Sequence, residues 1–289
     1  MRLTVRSLPT ALLVLTVAAA TGCAPQENSP SAATPAATAS CTPAALSTEA
    51  AGKLTVGTDK PAYAPWFQDD DPASGKGYES AVAYSVAKAL GYRADQVVWR
   101  TVPFNNSFAP GEKNFDFDIN QVSISDERKR AVDFSSGYYD VRQAVVALKK
   151  SPYAKAKSAA DLKGAKLGAQ VGTTSLDTIN EIIEPKRQPA VFQKNDFAKS
   201  ALRNGQVDAI VVDLPTAFYI TSAEVPDAEV VGQFADSAGT AEQFGLVLDK
   251  GSPLTACVTR AVDGLRADGT LAALEKKWLA DAVDAPVLK

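Results

Sequence analysis

The segment 118–139 contains the side chains whose types and spacing are best suited to binding chemistry. Ser123, Ser125 and Arg128 follow an apolar run at 119–122 that could form a buried strand. An arginine in that place can hold a carboxylate through two parallel hydrogen bonds. The alternative is the start of a surface helix, with Ser125 as N-cap and the charged residues after it in solvent. The segment therefore predicts either an anion-binding side chain or an exposed helix terminus.

Polar side chains also follow several other apolar runs that are typical of strands. In open α/β sheets, ligands bind beyond the carboxyl ends of the strands, so side chains at those places are expected to meet in one cleft. The residues concerned are Asp59, Ser123, Thr173, Thr174 and Asp213.

The chemistry of these side chains is complementary to that of a free amino acid. Arg128 could donate two hydrogen bonds to an α-carboxylate, and Thr173 and Thr174 could add amides and hydroxyls at a helix N-terminus. Asp213 and Ser123 could accept from an α-ammonium group. Each assignment has a simpler alternative. Asp213 and either threonine could be ordinary helix N-caps, and Ser123 could satisfy only local backbone groups.

The elements that would position these residues alternate between strands and helices. Short apolar runs predict strands, and apolar residues at every third or fourth position predict helices. This βαβ alternation favours parallel sheets covered by helices. The pattern restarts near residue 166, which indicates two α/β lobes, with crossovers near 139–144 and 234–242. The predicted strands are 54–57, 97–101, 117–122, 143–149, 166–170, 191–193, 207–212 and 244–248, and the predicted helices are 79–90, 176–183, 195–204, 252–265 and 271–278.

The composition excludes several classes of site. The 289-residue chain contains no histidine, so serine–histidine and cysteine–histidine catalysis and the common zinc sites are ruled out. The net charge is −3 and no strongly basic block is present, which argues against nucleic acid as a partner. The acidic run 69–71 lacks the spacing of an EF-hand loop. No metal, cofactor or catalytic residue is predicted.

Several short motifs resemble those of one family. A signature of the amino-acid-binding proteins of bacterial ABC importers is matched, in order, by Ser123-Ile124-Ser125, Arg128, Val132-Asp133-Phe134-Ser135 and Tyr138-Tyr139. These are the extracellular solute-binding proteins of family 3, which have the type II periplasmic-binding-protein fold. The resemblance over about 53–278 implies two α/β lobes, each a sheet flanked by helices, with a hinge and a ligand cleft between them. Further matching pieces are Lys250-Gly251-Ser252-Pro253-Leu254, Asp268-Gly269-Thr270-Leu271 and Lys277-Trp278.

The resemblance also implies roles for individual residues. It assigns ligand binding to the five residues that the chemistry above already favours: Arg128, Ser123, Thr173, Thr174 and Asp213. It places aromatic side chains around the side chain of the ligand, at positions similar to Tyr63, Trp66 and Phe104, and an aspartate at the position of Asp59. Two residues depart from the family pattern: Glu79 stands where many members have aspartate, and Gln121 stands where small residues are common. Gln121 could reach into the pocket and bond a polar side chain. The two acidic side chains, Asp59 and Glu79, would modestly favour a cationic ligand. Core packing is the alternative for the aromatic residues, and a structural role is the alternative for Glu79.

The first 22 residues have the pattern of an export signal. Two arginines precede an apolar segment at 11–20 that is too short to span a membrane. The sequence Ala20-Thr21-Gly22-Cys23 is similar to a bacterial lipobox, which implies cleavage before Cys23 and a lipid on its thiol. A plain secretory signal is the alternative. Residues 23–40, rich in Ala, Pro, Ser and Thr, are interpreted as a flexible tether.

Two cysteines remain once Cys23 is assigned to the lipid. An exported protein meets an oxidising environment, so we expect a disulfide between Cys41 and Cys257 that ties the start of the domain to a C-terminal helix. Two buried free thiols are the alternative.

Together these inferences predict a lipid-anchored, monomeric receptor on the outer side of the cell membrane. It would bind a polar amino acid, basic ones included, and deliver it to an ABC permease. The first lobe would comprise 41–140 and 237–289, and the second 141–236. The alternatives are an enzyme of the same fold, similar to cyclohexadienyl dehydratase, and a sensory ligand-binding module.

Overall fold

The computed structural model describes residues 40–235, 241–280 and 285–289. The predicted signal peptide, the lipidation site at Cys23 and the tether up to residue 39 lie outside the described residues. So does most of the second predicted crossover, because residues 236–240 are not described.

The first sheet has five strands in the order β2-β1-β3-β10-β4. Strands β1, β2 and β3 run parallel, whereas β10 is antiparallel to both β3 and β4. We call the part of the chain built on this sheet lobe 1. Its strands are β1 (Leu54–Thr58), β2 (Val97–Thr101), β3 (Phe117–Asp118), β4 (Val132–Val141) and β10 (Glu242–Asp249).

The second sheet has six strands in the order β11-β9-β5-β8-β6-β7, and the part built on it is called lobe 2. Strand β5 is antiparallel to its neighbours β8 and β9, and β6 is parallel to β7 and β8. The strands are β5 (Gln143–Leu148), β6 (Leu167–Gln170), β7 (Ala190–Phe192), β8 (Ala209–Asp213), β9 (Ala228–Phe234) and β11 (Val287–Leu288).

The two sheets confirm the predicted α/β class with two sheets flanked by helices, but the expectation of parallel sheets is wrong. Only Arg142 separates β4 in lobe 1 from β5 in lobe 2. The chain therefore enters lobe 2 on an extended strand, without a helical crossover, and β5 runs opposite to its neighbours. Strand β10 enters lobe 1 in the same antiparallel sense.

Helices cover both sheets. In lobe 1, α1 packs against α7 and α8, and α7 also packs on β4. Helices α4 and α6 each continue into a π-helical turn, at Ile179–Ile183 and Ile220–Glu224. The helices are α1 (Tyr78–Ala89), α2 (Phe104–Ser107), α3 (Asp126–Lys129), α4 (Thr174–Thr178), α5 (Asn195–Arg203), α6 (Leu214–Tyr219), α7 (Thr255–Ala267) and α8 (Thr270–Trp278).

The cores follow from the burial of each strand. Strand β8 is buried on both faces, as its apolar sequence predicts: Ile210 and Val212 belong to one cluster of lobe 2, and Ala209 and Val211 to the other. The core of lobe 1 is built around large side chains such as Trp66, Tyr78 and Phe244. The ring of Trp66 meets those of Tyr78 and Phe244 edge-on, with centroids 6.1 and 5.5 Å away.

The two ends of the described chain are tied to different lobes. Cys41 and Cys257 form the predicted disulfide, with 5.5 Å between their Cα atoms, which fixes the start of the domain to α7. Strand β11 pairs with β9 in lobe 2. The assignment of all of 237–289 to the first lobe is therefore wrong for its last residues, because backbone pairing with β9 draws them to the other sheet.

Within the described residues, no helix is long and apolar enough to cross a membrane.

Candidate ligand-binding cleft

A cleft between the lobes collects side chains from the carboxyl ends of strands in both sheets. Its free volume is about 30 Å³. Because one water needs about 10–15 Å³ of such space, the walls lie nearly in contact, and an amino acid could enter only if the lobes moved apart. The lining residues are Asp59, Tyr63, Phe104, Asn120, Gln121, Ser123, Arg128, Gln170, Thr173, Thr174, Ser175, Asn195 and Asp213.

Arg128 joins the two lobes at one end of the cleft. Its Nη1 donates to the carbonyl of Ser123 at 2.6 Å, and its Nη2 donates to the carbonyl of Gly172 in lobe 2 at 2.9 Å. The guanidinium carbon lies 4.4 Å from the ring centroid of Phe108. Burial lowers the pKa of Arg128 from its usual value, and the nearby carboxylates partly offset this. A fixed, water-poor cation is well suited to hold a carboxylate.

The segment after residue 122 has structural features of both predicted alternatives. Ser125 is the N-cap of α3, and its hydroxyl accepts from the backbone N–H of Arg128 at 3.2 Å. Asp126, Glu127 and Lys129 are exposed, but Arg128 is only 8% exposed and turns toward the cleft. The helix terminus therefore serves to aim one arginine inward.

The two predicted threonines have different surroundings. The hydroxyl of Thr173 is used locally, since it donates to the carbonyl of Gln170 at 2.7 Å and accepts from Leu176 N–H as the N-cap of α4. The hydroxyl of Thr174 lies 3.3 Å from Oγ of Ser123 and bridges the lobes. Thr173 is thus an N-cap at the cleft wall, whereas the hydroxyl of Thr174 contacts other cleft side chains and also accepts from Nε2 of Gln143 at 3.3 Å.

Asp213 ends β8 and lies in a group of polar side chains on the cleft wall. Its side chain does not cap α6, and its Oδ1 accepts from Nε2 of Gln143 at 2.9 Å. The same Nε2 is 3.3 Å from Oε2 of Glu242, whose other oxygen accepts from Oγ of Ser123. Withdrawal of the Asp213 carboxyl from solvent, reinforced by the negative charge of Glu242, raises its pKa to about 7.

Tyr63 and Phe104 line the cleft as predicted, but Trp66 does not. Trp66 is fully buried in the core of lobe 1, in edge contacts with Tyr78, Tyr139 and Phe244. Gly77 permits this packing, because a Cβ there would lie 2.4 Å from the Trp66 carbonyl oxygen. The structure therefore places Trp66 in the core of lobe 1 and not among the residues that line the cleft, since its loop folds under α1.

Glu79 also fails to reach the cleft and lies fully buried behind Gln121. It accepts from the backbone N–H of Gln121 at 2.7 Å, from the amide of that side chain, and from the hydroxyl of Tyr138. Burial raises the pKa of Glu79 to about 7. Glu79 thus holds Gln121, which lines the cleft at a positive φ of 51°. The alternative of a structural role for Glu79 describes it correctly.

Asp59 also lines the cleft, and a lysine approaches it from lobe 2. Its Oδ1 accepts from the backbone N–H of Lys60 at 2.6 Å, and its Oδ2 accepts from that of Phe104 at 3.3 Å. Nζ of Lys194 lies 4.0 Å from Oδ1.

Several cleft residues were not anticipated. Gln170 ends β6, and its Oε1 accepts from the backbone N–H of Asn195 at the start of α5 at 2.9 Å. The expectation that ligands bind at the carboxyl ends of strands, which selected Asp213, could also have selected Gln170. Glu242 and Gln143 lie at the first positions of the strands that enter each lobe, and that expectation does not cover strand starts. The unanticipated residues are Asn120, Gln143, Gln170, Ser175, Asn195 and Glu242.

A model of the bacterial extracellular solute-binding proteins, family 3, matches residues 54–281. The chain belongs to this family. The match confirms the predicted resemblance and with it the solute-binding function and the two-lobed fold.

Individual relatives have similar lengths and named ligands. The L-cystine-binding protein TcyJ of Escherichia coli (strain K12) is 33% identical over 232 residues, which cover 78% of this chain and 82% of that protein. The arginine-, lysine-, histidine-binding protein ArtJ of Geobacillus stearothermophilus has a TM-score of 0.66 at 28% identity, covering 79% of this chain and 95% of that one. The ancestral amino acid-binding protein AncCDT-1, a precursor of cyclohexadienyl dehydratase, has a TM-score of 0.65 at 30% identity. That match covers 78% of this chain and 95% of AncCDT-1.

Proposed function

We propose that this solute-binding protein is the receptor for a free polar amino acid and delivers it to an ABC permease. The observation that carries the proposal is the presence of a buried guanidinium and a desolvated carboxyl on the walls of one interlobe cleft. Arg128 would hold the α-carboxylate and Asp213 the α-ammonium group. An α-amino acid carries both charges on one carbon atom, so a single small molecule satisfies both groups.

Other side chains of the cleft support these two contacts. Ser123 and Thr174 have hydroxyls within reach of each other across the cleft, and both could bond the ligand once the lobes separate. Gln143 donates to both Asp213 and Glu242, and so holds the Asp213 carboxyl in place. Tyr63 and Phe104 would cover the side chain of the ligand, as aromatic rings do in many small-molecule sites.

Movement of the lobes would couple binding to delivery. The narrow cleft and the hydrogen bonds of Arg128 to both lobes describe a closed arrangement. A permease that contacts both lobes could distinguish this arrangement from an open one, because hinge closure around a ligand changes the distance between its docking surfaces. We assign 41–140 and 241–280 to lobe 1, and 141–235 with 285–289 to lobe 2.

The same proposal places the protein outside the cytoplasm on a lipid anchor at Cys23, following an export signal at 1–22. The family is extracellular by description, and the sequence around Cys23 resembles a lipobox. The tether 23–40 would let the receptor reach its permease as a monomer. We further propose that it is not an enzyme, because the relatives named above are binding proteins.

A thermal-shift screen of refolded protein against the common amino acids, ornithine, citrulline and cystine tests the proposal. A ligand that binds only the folded state raises its stability by about 2.7 kcal/mol at a hundredfold excess over the dissociation constant. Refolding removes any amino acid carried through purification. We expect at least one hit. Turnover of a cyclohexadienyl acid by the same preparation would instead support an enzyme.

The Arg128→Ala variant identifies the site. Loss of one partner of a desolvated charge pair costs roughly 2–5 kcal/mol, or roughly 30- to 5000-fold in affinity. Arg130→Ala is the matched control, because Arg130 ends the same short helix but is exposed. We expect the hit to vanish in Arg128→Ala and to persist in Arg130→Ala. Equal binding by both variants contradicts the assigned site.

A further inference from the structure

An ion pair joins the two lobes at Asp59, one of the residues that line the cleft. Lys194, which precedes α5 in lobe 2, brings its Nζ to 4.0 Å from Oδ1 of Asp59 in lobe 1. The same ammonium group donates to the carbonyl of Lys60. The side chains are 39% and 13% exposed, so the lysine lies at the mouth of the cleft and the aspartate deeper.

The negative charge of Asp59 is therefore compensated from the protein itself. Each carboxylate oxygen already accepts one backbone hydrogen bond, from Lys60 and from Phe104. Asp59 and Asp213 line the cleft, and the carboxylate of Glu242 belongs to the same polar group as Asp213, the residue proposed to hold the ammonium group. A cationic side chain entering beside Asp59 would meet the ammonium group of Lys194, and the repulsion between these like charges would weaken its binding.

Four amide side chains also line the cleft. Gln121, Gln170 and Asn195 line the cleft with Asn120, whose side chain is 6% exposed. Nδ2 of Asn120 has no hydrogen-bond partner among the described residues. An unpaired buried donor is costly, so this nitrogen is suited to receive an acceptor from the ligand.

We propose that the ligand has a polar side chain without net charge, and that Lys194 excludes cationic amino acids. The chemical class comprises side chains with an amide or hydroxyl group, or with a second zwitterionic head that offers one charge to each member of the Asp59–Lys194 pair. Asn120 would donate to the acceptor of that side chain. This inference rests on the proposed function and replaces the modest preference for a cationic ligand that Asp59 and Glu79 suggest in the sequence.

Isothermal titration of refolded protein with L-glutamine, L-cystine, L-arginine, L-lysine and L-glutamate tests the inference. We expect L-glutamine or L-cystine to bind at least roughly tenfold more tightly than L-arginine and L-lysine. In Lys194→Met, which keeps the length of the side chain, the affinities for L-arginine and L-lysine should rise roughly 5- to 30-fold.

Two further variants make the assignment specific. Lys163→Met is the matched control, because the Lys163 side chain is 40% exposed and its Nζ lies 3.0 Å from Oε2 of Glu184. Neither residue of this ion pair lines the cleft. This control should leave every affinity unchanged. In the double variant Asp59→Asn/Lys194→Met, the rise in affinity for L-arginine and L-lysine should disappear. The Asp59 carboxylate, which Lys194 pairs with in the wild type and which a cationic ligand would use in Lys194→Met, is then absent.

The outcomes separate this inference from the proposed function. Wild-type protein that binds L-arginine or L-lysine as tightly as the neutral ligands overturns the inference and leaves the amino-acid receptor intact. An unchanged affinity for L-arginine in a folded Lys194→Met variant also overturns it. Failure of every amino acid to bind refolded wild-type protein contradicts the receptor itself, and the inference then falls with it.

Discussion

At the residue scale, charge in the cleft is unevenly balanced around Arg128. Asp213 and Glu242 stand near a single guanidinium, and the electrostatic repulsion between the two carboxylates adds to the effect of burial on Asp213. An arriving α-ammonium group would relieve that repulsion. The excess of carboxylates thus favours a ligand with a positive charge on the same carbon as its carboxylate.

The raised pKa of Asp213 leads to a defined pH dependence of binding. Below about pH 7 the ligand-free carboxyl holds a proton, and that proton must leave before an ammonium group can pair with it. We therefore expect affinity to rise with pH up to about 7, by at most about tenfold per unit, and protons to be released on binding near neutral pH. Titration calorimetry in two buffers of different ionisation enthalpy measures the release.

The neighbouring charges decide where that transition lies. Glu242 and Glu79 raise the pKa of Asp213, whereas the amide of Gln143 and the charge of Arg128 lower it. Glu242→Gln should therefore move the transition to lower pH. Glu112→Gln, at an exposed position of lobe 1, should leave it in place. Wild-type affinity that does not change between pH 5.5 and 8 contradicts the role of Asp213.

At the element scale, the disulfide between Cys41 and α7 holds down the start of the domain. It closes a loop with a sequence separation of 216, and such a cross-link stabilises chiefly by restricting the unfolded chain. We expect Cys41→Ser to lower the free energy of unfolding by roughly 2–5 kcal/mol, measured by urea denaturation. Reductant should bring wild-type protein to the stability of the variant and leave the variant unchanged. A wild-type midpoint that is insensitive to reductant contradicts the prediction.

Strand ends could be predicted from the sequence because they depend on local patterns. Apolar runs located β1, β2, β5, β6 and β8. Residues at or just after the ends of β1, β2, β6 and β8 line the cleft, whereas β5 reaches it through its first residue, Gln143. Strand β4 was missed: its serines, glycine and aspartate do not form an apolar run, and its ten residues are held by pairing with β10. Strand β3 is shorter than the predicted strand 117–122, because the chain turns at Gln121 with a positive φ.

The roles of Trp66 and Glu79 could not be predicted from spacing alone. Both stand in loops or helix starts that family resemblance connects with the ligand, and both are fully buried. Whether such a side chain faces the cleft depends on how the loop at 61–67 packs against α1, which is a tertiary contact. The interlobe approach of Lys194 to Asp59 joins residues that are far apart in sequence, so it too needed the folded chain.

At the scale of the whole molecule, contacts between the lobes connect ligand recognition to closure. Arg128 donates to carbonyls of both lobes, Nε1 of Trp66 donates to Oγ1 of Thr216 across the interface at 3.0 Å, and Lys194 approaches Asp59. These contacts have to separate when the cleft opens. A ligand that replaces the partners of Arg128 and Asp213 would favour closure by its differential affinity for the closed form.

The central claim is that the cleft recognises both charged groups of an α-amino acid. The most direct test is isothermal titration of refolded protein with the best amino acid from the screen, beside its α-methyl ester and its Nα-acetyl derivative. Each derivative removes one charge and keeps the side chain. We expect each to bind at least roughly 30-fold more weakly, because it leaves Arg128 or Asp213 without its partner. Binding of either derivative as tightly as the parent amino acid would contradict the account.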